Sequence, residues 1–212
     1  MSLRTSKNDL LRFLSRRFPE HVVRAFSAVP RELFVTPEYK EYAYDDTALP
    51  TKNGQTISQP SVIAEMLTMA DLRPGLRVLE VGTGSGYTAA LTYEITRAPV
   101  VSIEYDPELC AEARERLNAL GYKEITVICG DGGAGYPSSA PYDRIIVHAA
   151  VPNIPEPLVE QLVEGGVVVA PVGSQYSQIL EKYVKKEGKL ILEQRGSPVV
   201  FVPLRGRYGF RF

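Results

Sequence analysis

The chain reads as a doubly wound α/β protein, with a mostly parallel sheet, a helical N-terminal cap and antiparallel C-terminal strands. Three observations carry this reading. RVLEV (77–81), VVSIE (100–104), ITVIC (125–129), DRIIVHA (143–149) and GVVVAPV (166–172) are short, β-branched and almost wholly apolar, the pattern of parallel strands buried on both faces. The stretches between them, such as YTAALTYEI and PELCAEARERLNAL, have a helical pattern, so strands and helices alternate. The third is a cluster of glycines directly after the first strand, where the chain turns into a helix.

From Asn8 to Ala28 the residues Leu10, Leu11, Leu14, Phe18, Val22, Val23 and Phe26 recur at helical spacing, interrupted near Pro19. Two short helices are predicted. PRELFVTPEYKEYAYDDTALP (30–50) is rich in Pro, Tyr and Asp without a period, so it is expected as a packed irregular segment able to cover a site. GQTISQP (54–60) sets hydroxyls and amides in a row with little to bury, and its Ser-Gln-Pro end suits a helix cap. In SVIAEMLTMADLRPG, Val62, Ile63, Met66, Leu67 and Met69 form an apolar face ended by Pro74-Gly75. After Ile179 the runs ILEKYVKKEGKLILEQR and VVFVPL alternate and are more polar. A Lys-Glu-Gly-Lys turn predicts an antiparallel hairpin there. The expected organisation is one domain over 1–212, with a cap and site segment (1–60), a core (61–178) and closing strands with a tail (179–212).

A length of 212 residues supports one core. Hydrophobic content of 44% and charged content of 23% are ordinary for a soluble globular protein. The formal charge is −1, with 24 basic and 25 acidic residues mixed along the chain. No basic field exists to hold a phosphate backbone, so nucleic acid is not the expected partner. MSLRTSKNDLLRFLSRRF contains no continuous apolar segment. Neither signal peptide nor membrane anchor is expected, and the expected location is cytoplasmic. Cys110 and Cys129 show no paired-ligand spacing and are expected to be buried free thiols. With only His21 and His148 in the chain, no histidine-rich metal centre is expected.

In VLEVGTGSGY (78–87), Gly82, Gly84 and Gly86 follow the first strand. Glycines there let the backbone turn sharply and approach a ligand, while the helix start offers free N–H groups. A dinucleotide fingerprint would need a further glycine where Tyr87 stands. Glu80 precedes the glycines, Glu104 ends the second strand, and Asp131-Gly132 follows the third. A carboxylate at the second strand's end can accept bonds from both ribose hydroxyls, and one after the third can accept from an adenine amino group. This arrangement is similar to that of S-adenosylmethionine-dependent, Rossmann-like methyltransferases.

Around that core stand RELFV (31–35), AYDDTALP (43–50), GQTISQP, GDGGAGYP (130–137), APYDRIIVHAA (140–150), GGVVVAPVG (165–173) and VVFVPLRG (199–206). In this order, from about residue 20 to 206, they resemble the protein-L-isoaspartate O-methyltransferase family. The resemblance implies transfer of a methyl group from S-adenosyl-L-methionine to the α-carboxylate of L-isoaspartyl residues in damaged proteins or peptides, leaving S-adenosyl-L-homocysteine. The ester then collapses to a succinimide, beginning repair. By resemblance, Ser58 is the active-site serine; Thr56, Ile57, Glu80, Gly82, Thr83, Gly84, Ser85, Glu104, Tyr105, Asp131 and Gly132 hold the donor. Tyr44, Asp45, Thr56, Ser58 and Val202 surround the substrate.

The residue inventory suits such a reaction. A carboxylate is ionised at neutral pH and needs no general base. The enzyme must supply alignment and exclude water, tasks for hydroxyl and N–H donors. Ser61 and His148 stand where relatives commonly carry other residues. A packed structural histidine is the expectation for His148, with a substrate contact as the alternative, and the tail RGRYGFRF is expected to dock on its own protein. Two other readings share the core. A methyltransferase for small molecules or RNA would leave GQTISQP and AYDDTALP without a use, and the near-zero charge disfavours RNA. A nucleoside-binding module without catalysis is the other. The sequence leaves the oligomeric state open.

Overall fold

The computed structural model describes residues 5–210. Helix α1 (Lys7–Ser15) starts at Ser6, whose hydroxyl accepts the Asp9 N–H at 3.2 Å while the Asp9 carboxylate accepts the Ser6 N–H at 3.1 Å. This reciprocal cap fixes where the helix begins. Helix α2 (Glu20–Ala28) follows Pro19, and of the residues that gave the period Leu10, Leu14, Val22 and Phe26 are buried, with Leu11, Phe18 and Val23 partly so. The irregular segment makes two 3₁₀ turns, at Arg31–Leu33 and Pro37–Tyr42, before it ends in a short strand.

Strands β1 (Leu49–Pro50) and β2 (Thr56–Ile57) pair antiparallel, Leu49 opposite Ile57. Helix α3 (Pro60–Met69) begins with Pro60 in its first turn, as expected, but no side chain of Ser58 or Gln59 caps it. Asp46 does so instead. Its carboxylate accepts the Ser61 N–H at 2.8 Å and the Gln59 amide at 3.0 Å, so AYDDTALP holds both the helix start and the segment leading into it.

The main sheet runs β5-β4-β3-β6-β7-β8-β9, where β3 is Val78–Val81, β4 Val100–Glu104, β5 Ile125–Cys129, β6 Tyr142–Val147, β7 Leu162–Gly173, β8 Gln178–Lys186 and β9 Lys189–Val199. From β5 to β7 the pairing is parallel; β8 and β9 close it antiparallel. Helices α4 (Tyr87–Thr96), α5 (Pro107–Ala119) and α6 (Glu156–Glu160) complete the layers. All of β3 and β4 is buried. The chain leaves β3 towards β4 and later returns to β6 on the other side, which opens a crevice at the strands' carboxyl ends. Tyr87, the first residue of α4, is buried against Phe26 (6.1 Å between ring centres) and Phe34 (5.3 Å). The N-terminal cap is thereby packed onto the helix that opens from the glycine turn.

Two sequence expectations are corrected here. Cys110 and Cys129 are not free thiols but a disulfide, Cα atoms 5.6 Å apart, joining α5 to the end of β5. The helix packs directly on that strand, a proximity set by the fold and invisible in the spacing. VVFVPL is not a further ladder strand. β9 ends at Val199, and the chain then crosses beside the β6 exit, where the Ala150 N–H donates to the Val202 carbonyl (2.8 Å) and the Leu204 N–H to the Ala150 carbonyl (2.9 Å). The expected hairpin between β8 and β9 is present, with Glu187-Gly188 at its turn. On the chain-entropy account, closing a 19-residue span stabilises by about 3 kcal/mol. Reduction is therefore expected to lower Tm by roughly 6–12 °C. Calorimetry with and without dithiothreitol, with thiol titration confirming reduction, checks this; an unchanged Tm in the reduced protein would overturn it.

Candidate active site

A cavity of about 440 Å³ opens at the carboxyl ends of the parallel strands. Its floor comes from the turn after β3 (Gly82, Thr83, Gly84, Ser85), the ends of β4 and β5 (Glu104, Tyr105, Gly132) and His148 after β6. Gly82 and Gly84 have φ of 96° and 51°, and nothing lies within 4 Å of where a Gly84 side chain would stand. That open backbone is a cradle for a ligand, with the start of α4 behind it. Gly132 has a different constraint: a Cβ there would lie 2.5 Å from Val81 Cγ1, so only glycine lets this loop close on β3.

Glu104 is 8% exposed, and its two oxygens accept the Gly84 N–H (2.8 Å) and the Asp106 N–H (3.0 Å). Each oxygen keeps acceptor capacity for a ligand hydroxyl. Asp131 does not line the cavity. Its carboxylate accepts the Gly133 N–H (2.9 Å) and the Arg207 N–H (2.8 Å), so the docked tail through Phe210 rests against it, while Arg211 and Phe212 lie outside the described residues.

Beneath the cradle runs a buried polar chain. The Thr83 and Ser102 hydroxyls are 2.6 Å apart, Ser102 donates to Glu80 Oε2 at 2.5 Å, and Glu80 Oε1 faces His148 Nε2 at 3.5 Å. Glu80 does not line the cavity itself; Thr83 and His148, the chain's two ends, do. Burial pushes the Glu80 carboxyl up to about 8 and His148 down to about 4. Near neutral pH the carboxyl thus keeps its proton and the imidazole takes none. Glu80 Oε1 and His148 Nε2 find no other partner among the described residues, and one proton between them serves both. Glu80→Gln preserves this shape and a donor, so it is expected to leave the S-adenosylhomocysteine Kd within about threefold of wild type. Titration calorimetry checks it; weakening beyond tenfold would show that a charged carboxylate is required.

The opposite wall comes from Gln55, Thr56, Ile57, Ser58 and Gln59 and from Val199 to Arg205, including Val202. Ile57 is buried in β2, Gln59 is held by Asp46, and the Ser58 carbonyl accepts a hydrogen bond from Arg31 Nη2 at 2.9 Å. Ser58 is thus fixed on both sides. Tyr44 and Asp45 are not brought to the cavity: the Tyr44 hydroxyl donates to Glu32, and Asp45 accepts the Thr5 N–H at 3.4 Å. Asp46, one residue on, organises the segment. Sequence reasoning singled out neither Asp46 nor Arg31; the proximity of AYDDTALP to GQTISQP was the available signal for the first, and the place of Arg31 at the head of RELFV was the signal for the second.

A glycine cradle with an acidic residue at the end of the neighbouring strand, on a sheet of this topology, is the arrangement of S-adenosylmethionine-dependent methyltransferases. A Plasmodium falciparum protein-L-isoaspartate O-methyltransferase, solved in complex with S-adenosyl-L-homocysteine, superposes with a TM-score of 0.81 at 27% identity, covering 95% of this chain and 99% of its own. Another solved structure, a protein-L-isoaspartate O-methyltransferase, gives a TM-score of 0.89 at 33% identity over 96% of this chain and 67% of that one. The family model for protein-L-isoaspartate(D-aspartate) O-methyltransferase matches residues 5–209, and the chain belongs to that family. The protein-L-isoaspartate O-methyltransferase of Hyperthermus butylicus is 51% identical over 203 residues, covering 91% of this chain and 84% of the relative. That of Methanothrix thermoacetophila is 48% identical over 207 residues, 97% of each chain.

Proposed function

We propose that the cavity transfers the methyl group of S-adenosyl-L-methionine to the free α-carboxylate of an L-isoaspartyl residue in proteins or peptides, with Ser58 as the residue that holds the acceptor. The observation that carries this reading is the shared cavity: Thr56, Ile57 and Ser58 line the same space as the glycine cradle and Glu104. The donor supplies an electrophilic methyl group. In this reading Gly82, Thr83, Gly84, Ser85, Glu104, Tyr105 and Gly132 hold it, with Thr56 and Ile57 beside it. Glu80 supports it from below through Ser102 and Thr83, and Asp131 through the loop that carries Gly132. Val202 lines the acceptor path, and Tyr44 and Asp45 act through the segment they belong to.

The acceptor arrives as an anion, so no base has to be found. The barrier lies in stripping its water and aligning it. Ser58 offers a hydroxyl donor that replaces part of that hydration without neutralising the carboxylate. We read residues 1–212 as one methyltransferase domain. No described helix is long and apolar enough to cross a membrane, and we place the enzyme in the cytoplasm, acting on neither nucleic acid nor lipid. Paired aspartyl and isoaspartyl peptides incubated with radiolabelled donor test the reading. Selective labelling of the isoaspartyl peptide supports it, and equal labelling or none overturns it.

A further inference from the structure

Arg31 is fully buried, at 0% exposure. Arginine keeps its charge in a protein and is rarely buried unless paired. Here the pairing is slight. Nη2 donates to the Ser58 carbonyl at 2.9 Å, Cζ lies 5.1 Å from the centre of the Tyr87 ring, and Nε and Nη1 are buried without a hydrogen-bond partner among the described residues. Asp46, whose charge reaches it, is already engaged by the Ser61 N–H and the Gln59 amide. A neutral amide could hold one carbonyl at far lower desolvation cost. Both groups that Arg31 touches, Ser58 and Tyr87, line the cavity, so a charge with no ion pair of its own sits directly behind the acceptor wall.

We infer that Arg31 is a positioning residue for methyl transfer: it fixes the Ser58 peptide and lends a positive field, from behind that wall, that draws an anionic acceptor to Ser58 in preference to a neutral one. The inference rests on the function proposed above. A cation inside the protein is screened little by solvent or salt, so it favours an anion without touching it. Because it stays behind the wall, the carboxylate's attacking lone pair remains free.

The test compares an isoaspartyl peptide with its α-carboxamide counterpart, in which the anion is removed, as ligands of the S-adenosylhomocysteine-loaded enzyme. Arg31→Gln keeps a donor for the Ser58 carbonyl and removes the charge; Arg31→Lys keeps the charge and loses the planar stack. The carboxylate-over-carboxamide Kd ratio is expected to shrink at least about tenfold in Arg31→Gln, with KM for the isoaspartyl peptide rising in step. In Arg31→Lys the ratio stays within about threefold of wild type, and the S-adenosylhomocysteine Kd stays within about threefold in both variants. An unchanged ratio in Arg31→Gln, or an equal loss in both variants, overturns the inference. Should Arg31→Gln fail to fold, Arg31→Lys decides: a kept ratio supports the field, a tenfold loss overturns it. Failure of the wild-type enzyme to methylate the isoaspartyl peptide would instead sink the proposed function itself.

Discussion

Ser58→Ala is expected to lower kcat/KM for an isoaspartyl peptide by about a hundredfold, because it loses a hydrogen bond to a charged acceptor, of about 1.5–3 kcal/mol, together with the alignment that bond gives. The loss belongs to the acceptor side. Ser58 is held from behind by Arg31 and flanked by Ile57 in β2 and by Gln59, so removing its hydroxyl leaves the wall in place. The S-adenosylhomocysteine Kd is therefore expected to stay within about threefold. A kinetic assay beside titration calorimetry separates the two quantities. Equal turnover in both proteins would remove Ser58 from the reaction, and a parallel loss of donor affinity would make it part of the donor site instead.

Glu104→Ala should do the reverse and abolish tight donor binding. Its carboxylate is proposed to take both ribose hydroxyls, and hydrogen bonds to a charged group are worth about 1.5–3 kcal/mol each, so the S-adenosylhomocysteine Kd is expected to weaken at least about a hundredfold. A second effect adds to this. The Gly84 and Asp106 N–H groups lose their shared acceptor, which loosens the glycine turn as well. Glu104→Gln keeps the shape and one acceptor, and is expected to fall between alanine and wild type. Titration calorimetry on all three proteins gives the order; a wild-type Kd in Glu104→Ala would sink the assignment.

The parts of this molecule that were legible in its sequence are those fixed locally. Five strands announce themselves because β-branched runs bounded by helices have few other uses, although β5, at the sheet edge, exposes Thr126 and Cys129 where burial on both faces was expected; Gly82, Gly84 and Gly86 do so because a plain turn rarely needs three glycines. The Ser58 segment, which by composition alone reads as a helix cap, was marked as part of a site only by its resemblance to the family. What escaped depends on tertiary contact. Cys110 and Cys129 meet only once α5 lies on β5. Asp46 caps α3 from 15 residues away, a partner that no helix-start pattern encodes. Val200 to Leu204 have strand-like composition, but β9 has already ended, so the chain pairs with Ala150 alone. Arg31 escaped because arginine belongs on surfaces by default, and its burial becomes visible only with Tyr87 beneath it.

The cavity's two walls come from different parts of the chain, the cradle from the middle and the facing wall from Gln55–Gln59 together with Pro198–Arg205. This division sets the order in which competence is acquired during synthesis. A nascent chain leaves the ribosome N-terminus first, and its sheet can assemble before its last segment has emerged. Until Val199 to Arg205 cross beside β6, the chamber lacks a side and water has free entry. Competence therefore waits on residues 199–205, long after the residues of the cradle have been made.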